Sequence, residues 1–187
     1  PIYELSGQIE FNFLPYDPGN PLYTWTPFVY TGISFFHFNP KAENEDGLLV
    51  SLQELGTEGQ GTTSFPDRKK YSLTHFSIPL GGGLKFAINP SFNIIFEYGI
   101  RKTFTDYLDD VSTTYPGNST LINNASAEMS NPVWRDPDNI LSRDVMYNGV
   151  NAPATHQRGD DTKKDWYSFI GITLSFKLNN NTQGCDY

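Results

Sequence analysis

The chain has 187 residues, a formal net charge of −8, 37% hydrophobic residues and 15% aromatic ones. An acidic balance argues against nucleic acid as a partner, and no run nears the roughly eighteen apolar residues of a transmembrane helix. Many Phe and Tyr beside few aliphatics suit a barrel with aromatic girdles better than a soluble core, and a single cysteine, Cys185, excludes an internal disulfide framework.

Residues 2–14 alternate: Tyr3, Leu5, Gly7, Ile9, Phe11 and Phe13 on one face, Glu4, Ser6, Gln8, Glu10 and Asn12 on the other. Period two predicts a strand. A charge at the centre of a bilayer costs a few kcal/mol, so Glu4 and Glu10 must face a barrel interior or bulk water. Pro1 already falls inside this pattern, with no charged start and no apolar leader before it, so strands are expected upstream. The breakers from Pro15 to Pro21 predict a turn. A second strand over 23–38 puts Trp25, Val29, Ile33 and Phe35 on one face and Phe28, Tyr30 and Phe36 on the other, with Pro27 marking a bulge or a strand start.

Residues 39–69 are polar and glycine-rich, which predicts a long loop with a short ordered piece at 48–55. A third strand over 71–87 alternates Phe76, Ile78, Leu80, Gly82, Leu84 and Phe86 with Ser77, Pro79, Gly81, Gly83 and Lys85. Gly81-Gly82-Gly83 predicts a sharply curved segment; no Gly-Lys-Ser/Thr follows, which argues against a phosphate loop. After the turn Asn89-Pro90-Ser91, a fourth strand over 91–104 sets Phe92, Ile94, Phe96, Tyr98 and Ile100 against Asn93, Glu97, Gly99 and Arg101. Residues 105–164 read as a long polar insertion.

The strongest strand signal is Trp166 to Leu178, with Ile170, Ile172, Leu174 and Phe176 on one face and Phe169, Gly171, Thr173, Ser175 and Lys177 on the other. A soluble strand averages about five or six residues, whereas crossing a bilayer takes about nine to eleven. Trp166 and Tyr167 open it, and with Trp25 they are the expected membrane-interface aromatics. A tail, 179–187, follows.

The connections alternate short, long, short, long, as periplasmic turns and extracellular loops of outer-membrane barrels do. The expectation is therefore all-β: a small antiparallel transmembrane β-barrel over 1–178, with extracellular loops 39–69 and 105–164 and a periplasmic tail. Such barrels have an even strand count of at least eight, so the five strands visible here leave three to be supplied.

On this reading Glu4, Glu10, Lys85, Glu97, Arg101 and Lys177 form an interior charge network. Eight strands leave room only for side chains, which favours mutually neutralising charges over a proton or ion path. Asp106, Asp109 and Asp110, with Asp160 and Asp161, read as a solvated surface or as calcium ligands, although their spacing matches no EF-hand loop. Arg158-Gly159-Asp160 reads as a chance adhesion tripeptide. His37, His75 and His156 have no metal-ligand spacing, and nothing points to a cofactor. His75 with Ser77 or Ser72 is the one Ser/His candidate for catalysis. Asn118-Ser119-Thr120 and Asn124-Ala125-Ser126 match glycosylation acceptors, relevant only in a eukaryotic secretory route. Cys185, near the end of the tail, either bonds another chain or is an incidental thiol.

Several motifs occur together: Tyr3-Glu4-Leu5 with Glu10-Phe11-Asn12-Phe13, Thr24-Trp25-Thr26-Pro27, Phe36-His37-Phe38-Asn39-Pro40, Thr57-Glu58-Gly59-Gln60-Gly61, Ile78-Pro79 with Gly81-Gly82-Gly83, Glu97-Tyr98-Gly99, the stretch Arg101 to Ser112, Gln157-Arg158-Gly159 and Lys164-Asp165-Trp166-Tyr167. This set resembles the PorG-like outer-membrane barrel family of Bacteroidota, part of the type IX secretion and gliding machinery. The resemblance implies a non-enzymatic barrel anchoring a periplasmic ring, a lipoprotein and its partner of the PorK and PorN type, to the outer membrane. It places Cys185 and the turn carrying Tyr16, Asp17 and Leu22 against that ring, with a disulfide from Cys185 to the ring lipoprotein as the leading expectation. A lipid-modifying barrel enzyme and a ligand-binding surface barrel are the rivals.

Overall fold

The computed structural model describes residues 1–44, 46–116, 121, 124–130 and 157–178. Its elements are β1 (Ile2–Asn12), β2 (Trp25–Phe38), β3 (Lys41–Glu43), β4 (Leu49–Ser51), α1 (Leu52–Leu55), β5 (Thr74–Asn89), β6 (Phe92–Thr103), α2 (Asn124–Ser130) and β7 (Trp166–Phe176). The five predicted strands form one largely antiparallel sheet in the order β1-β2-β5-β6-β7, beside a β3-β4 hairpin. The sheet is open, with β1 and β7 at its edges. No helix among the described residues is long and apolar enough to cross a membrane.

The chain divides into two compact units. The sheet unit holds Leu5–Ser34, Phe76–Lys102 and the chain from Trp166. In it β2 keeps strict period two: Thr26, Phe28, Tyr30 and Ser34 are buried, while Trp25, Val29 and Ile33 are exposed. Pro27 falls inside the strand, where its carbonyl accepts the Phe13 N–H at 3.0 Å. In the antiparallel β6-β7 pair, Ile94 faces Leu174, Phe96 faces Ile172 and Tyr98 faces Ile170. Large apolar side chains point outward along the whole sheet, among them Leu5, Ile33, Phe76, Phe96, Ile170 and Ile172.

The Gly81–Gly83 stretch lies within continuous strand. A Cβ on Gly83 would come within 1.9 Å of the Phe96 carbonyl oxygen, so neighbouring backbone occupies the space a side chain would need. The turn at 15–22 is tied by its own amides. Asp17 N–H reaches the Tyr23 carbonyl at 3.0 Å, and the Asp17 carboxylate takes the Gly19 N–H at 3.0 Å.

The loop unit holds Pro1–Glu4, Phe35–His75 and Thr103–Asp165. The ordered piece expected at 48–55 is β4 followed by α1, which ends on Gly56 in the left-handed region at φ 63°. The rest of 39–69 corrects the reading of a plain polar loop. Thr57, Glu58 and Gln60 are buried, as are Thr103, Asp106, Asp110 and Ser112 from the second connection. Pattern reading sends polar residues to solvent; partners hold most of these inside, while Gln60 accepts the Glu58 N–H on Oε1 at 2.9 Å and its Nε2 makes no hydrogen bond among the described residues. In α2, the Ser126 hydroxyl of the Asn124-Ala125-Ser126 triplet donates to the Leu55 carbonyl at 2.5 Å.

Candidate functional site

The loop unit is built around Arg158, whose side chain is 6% exposed. Its Nη1 lies 3.1 Å from Glu58 Oε1 and donates to the Asp110 carbonyl at 2.6 Å. Its Nη2 lies 3.7 Å from Asp110 Oδ2, and its Nε donates to the Ser130 carbonyl at 3.1 Å. One guanidinium thus joins the β2–β5 connection, the chain after β6 and the end of α2.

Glu58 is held from the opposite segment. Its carboxylate accepts the Ser112 N–H at 2.9 Å, the Thr113 N–H at 3.1 Å and the Thr113 hydroxyl at 2.7 Å. The local backbone makes this possible: Gly59, next in sequence, has φ +83°, and a Cβ there would meet the Phe65 ring at 2.6 Å. Arg68 stacks on that ring, 4.2 Å from its centroid, and donates to the Glu58 carbonyl at 2.6 Å and to the Thr114 hydroxyl at 2.6 Å.

Asp110 stands at φ 70°, in the left-handed region that Asp tolerates better than most residues. Its carboxylate takes the Tyr71 hydroxyl at 2.6 Å and the Thr57 hydroxyl. Tyr71 stacks on Tyr107, with ring centroids 4.5 Å apart. Burial pushes the Asp110 carboxyl up, against the pull of its hydroxyl partners and Arg158. Burial also raises the Tyr71 phenol, with the Asp110 charge adding to it, and raises Tyr107, with Glu58 adding to it. The cluster can lock two connections together, since each of its two carboxylates, Glu58 and Asp110, accepts hydrogen bonds from more than one donor.

This geometry corrects the surface reading for Asp106 and Asp110 and leaves Asp109, Asp160 and Asp161 on the surface. Asp110 and Asp106 are buried rather than solvated, and Asp106 accepts the Ser112 hydroxyl at 2.6 Å. Among the described residues no group of His, Cys, Asp or Glu is arranged to hold a metal ion. Asp109, Asp160 and Asp161 are exposed, and Asp160 pairs with Lys163 at 3.2 Å. Arg158, with its side chain buried, cannot present Arg158-Gly159-Asp160 to a receptor. The Ser/His candidates are committed elsewhere. His75 Nε2 meets the Ser72 carbonyl at 2.8 Å, Ser72 Oγ bonds Thr74, and Ser77 Oγ pairs with Ser34 Oγ at 2.6 Å.

In the sheet unit, Lys85 crosses the inner face to pair with Glu10, its Nζ 5.0 Å from the Phe28 ring centroid and 5.9 Å from that of Tyr16. Arg101 is 3% exposed and lies 4.6 Å over the Phe169 ring. Glu97 is half-buried, near Gly171. Lys177 is exposed, as is Glu4, which falls in the loop unit. Trp25 and Trp166 are exposed and Tyr167 is half-buried; the Lys102 ammonium sits 4.5 Å over Trp166. Tyr16 is half-buried, donating to Asn93 Oδ1 at 3.0 Å, while Asp17 and Leu22 are exposed. Cys185, His156 and Asn118–Thr120 lie outside the described residues.

Sequence reading assigns no role to Glu58, Arg68 or Tyr71, and it takes Asp110 for a surface or calcium-binding carboxylate and Arg158 for part of a chance tripeptide. The signal was present in Thr57-Glu58-Gly59-Gln60-Gly61, a charge set between residues that turn, and in the motifs around Asp110 and Arg158. Sequence distance alone hid their convergence, because Glu58 and Arg158 are 100 positions apart.

Fold and cluster define an antiparallel β-sheet protein whose long connections form a polar unit with a buried ion cluster. The chain belongs to the DUF6089 family, described as a domain of unknown function, whose match covers residues 1–134. No curated protein and no solved structure matches it.

Proposed function

We propose that the sheet is part of a small transmembrane β-barrel of the bacterial outer membrane, eight strands when closed, with the short connections and the carboxy-terminal tail periplasmic and the long connections extracellular. We infer further that the barrel acts without catalysis, anchoring a periplasmic ring of the type IX secretion machinery of the PorK and PorN type.

The observation that carries the membrane reading is the outward apolar face. Ile170 is 83% exposed, Leu5 79%, Ile172 65% and Ile33 62%. These side chains recur at period two on strands of 11 to 16 residues. Monomeric soluble proteins rarely show a contiguous apolar patch above a few hundred Å², and a bilayer is the solvent in which such a face is stable. The opposite face carries the Glu10–Lys85 pair and Arg101, a polar interior such as a small barrel fills with side chains. Two free strand edges are a liability in any solvent, and closure with further strands removes it.

The anchoring role rests on the motif resemblance, with Tyr16, Asp17, Leu22 and the Cys185 tail on the ring side. Expression of the full-length protein in its native host, followed by membrane fractionation and affinity purification in mild detergent, tests both halves. The expected result is outer-membrane fractionation with a large periplasmic ring retained, linked through Cys185 under oxidising conditions. Recovery as a detergent-free soluble monomer overturns the barrel. Outer-membrane recovery without any ring overturns the anchor and leaves the barrel standing.

A further inference from the structure

The Arg158 cluster sets one guanidinium against two carboxylates, Glu58 and Asp110, both with fully buried side chains. The guanidinium is 3.1 Å from Glu58 and 3.7 Å from Asp110. Glu58 also takes two backbone N–H groups, which can donate only. Asp110 faces Thr57, Glu58 and Tyr71 from the β2–β5 connection and Arg158 from the chain before β7. Tyr107, on its own segment, stacks on Tyr71, and Asp106 adds a further buried carboxylate beside Ser112. Arg68 directs its guanidinium at Glu58 O and Thr114 rather than at Asp110.

Asp110 therefore has the longer of the two Arg158 contacts and a side-chain hydroxyl on each oxygen, so the proton it accepts costs it one distant ion pair and keeps its hydroxyl contacts. The Thr57 hydroxyl on its Oδ2 can donate to a carboxylate or accept from a carboxyl group, and the Tyr71 hydroxyl donates to Oδ1 in both states. Once protonated, it leaves a single charge pair, Arg158 with Glu58.

We propose that the loop unit is an acid-tightened clasp, in which Asp110 takes up a proton in the closed state and binds the β2–β5 and β6–β7 connections together more firmly as pH falls. Burial holds the Asp110 carboxyl above its ordinary value, in agreement with this. A raised closed-state value means that the closed unit binds more protons than the open one between the two values. Its stability then rises as pH falls through that window and is lost as pH rises through it. For one proton the opening constant changes by up to about tenfold per pH unit.

Amide hydrogen exchange at Ser112 and Thr113, whose N–H groups bond Glu58, reads this opening. It is measured on the full chain from neutral pH downwards through the range in which the chain stays folded and corrected for intrinsic exchange. The opening constant should fall on acidification in the native protein and stay flat in Asp110→Asn. Asp165 is also pushed up by burial, so Asp165→Asn is the control and should keep the slope. Tyr71→Phe removes a donor that favours ionised Asp110 and should move the slope to higher pH; it decides the matter if Asp110→Asn exchanges too fast to measure. A flat or reversed slope in the native protein, a slope surviving Asp110→Asn, or an unmoved profile in Tyr71→Phe each overturns the proposal.

Discussion

In the sheet unit most large apolar side chains other than Phe28 and Tyr30 lie outside, and Ile170 is 83% exposed while Ser34 and Ser77 are fully buried. In the loop unit, too, the fully buried side chains are largely polar: Thr57, Glu58, Thr103 and Asp110 all stand at 0% exposure, beside Phe36 and Phe38 at 1%. Neither region follows the rule of a water-soluble core, and they depart from it for different reasons. The sheet turns its apolar face to a solvent that is itself apolar, on our reading. The loop unit buries charge because each charged group finds several partners at once, which is the condition under which burial of an ion is tolerated. Outward apolar residues should therefore be sensitive to what surrounds the protein, and inward polar residues to the loss of a single partner.

The largest expected effect follows from that second half. Arg158→Met keeps most of the side-chain volume and removes the charge shared by Glu58 and Asp110. Breaking a buried pair by removing one partner costs about 3–5 kcal/mol, because the remaining charges stay buried and unpaired. Protease cleavage within 57–61 and 106–113 should become fast, while backbone protection along the β6-β7 pair stays at its native level. Adding Asp110→Asn to the same chain should restore part of the loss. Equal loosening of β6 and β7 would mean that the two units open as one.

The sheet was legible in the sequence, and the loop unit was legible only as motifs. Period two is a property of neighbouring residues, so Trp25, Val29 and Ile33 against Phe28 and Tyr30 could be sorted before any fold was known. All five strands follow from such local patterns, with their ends misplaced by a few residues where Tyr71 and Leu178 proved to lie outside strand. The pairing of Glu58, Asp110 and Arg158 has no period. It depends on two connections meeting, which is a long-range event, and the aspartates near 110 read as surface because pattern reading counts charge and not partners. The Glu10–Lys85 pair lay between these extremes. Both residues could be put on the inner face from alternation, whereas their contact across β2 needed the strand order.

The second effect sharpens the first half of the comparison. Ile172 pairs with Phe96 on the outward face and is 65% exposed. Ile172→Arg should cost about 2–4 kcal/mol in lipid vesicles, the range for Arg near the midplane on the lipid face of a barrel. Reversible unfolding from vesicles by urea reads the difference directly. Thr173→Arg, one residue along and directed to the opposite face, is the matched comparison and should differ from it. Were Ile172→Arg neutral, water rather than hydrocarbon would surround that face, and the two units would then differ only in sequence pattern.

The smallest effect concerns charge on the inner face of the sheet. Lys85 and Glu10 form an ion pair whose side chains are 14% and 35% exposed, so solvent screens it in a way it cannot screen Arg158. Lys85→Met keeps the stem that packs over Phe28 and removes the ammonium. The coupling measured in a double-mutant cycle with Glu10→Gln should fall within about 0.2–1 kcal/mol, as partly exposed pairs do. Added salt should shrink it further, since screening acts on pairs that water can reach. A coupling several times larger, indifferent to salt, would place this pair in the same energetic class as the loop cluster. The contrast would then lie in strand pattern alone, and the inner face would have to be as dry as the centre of the loop unit.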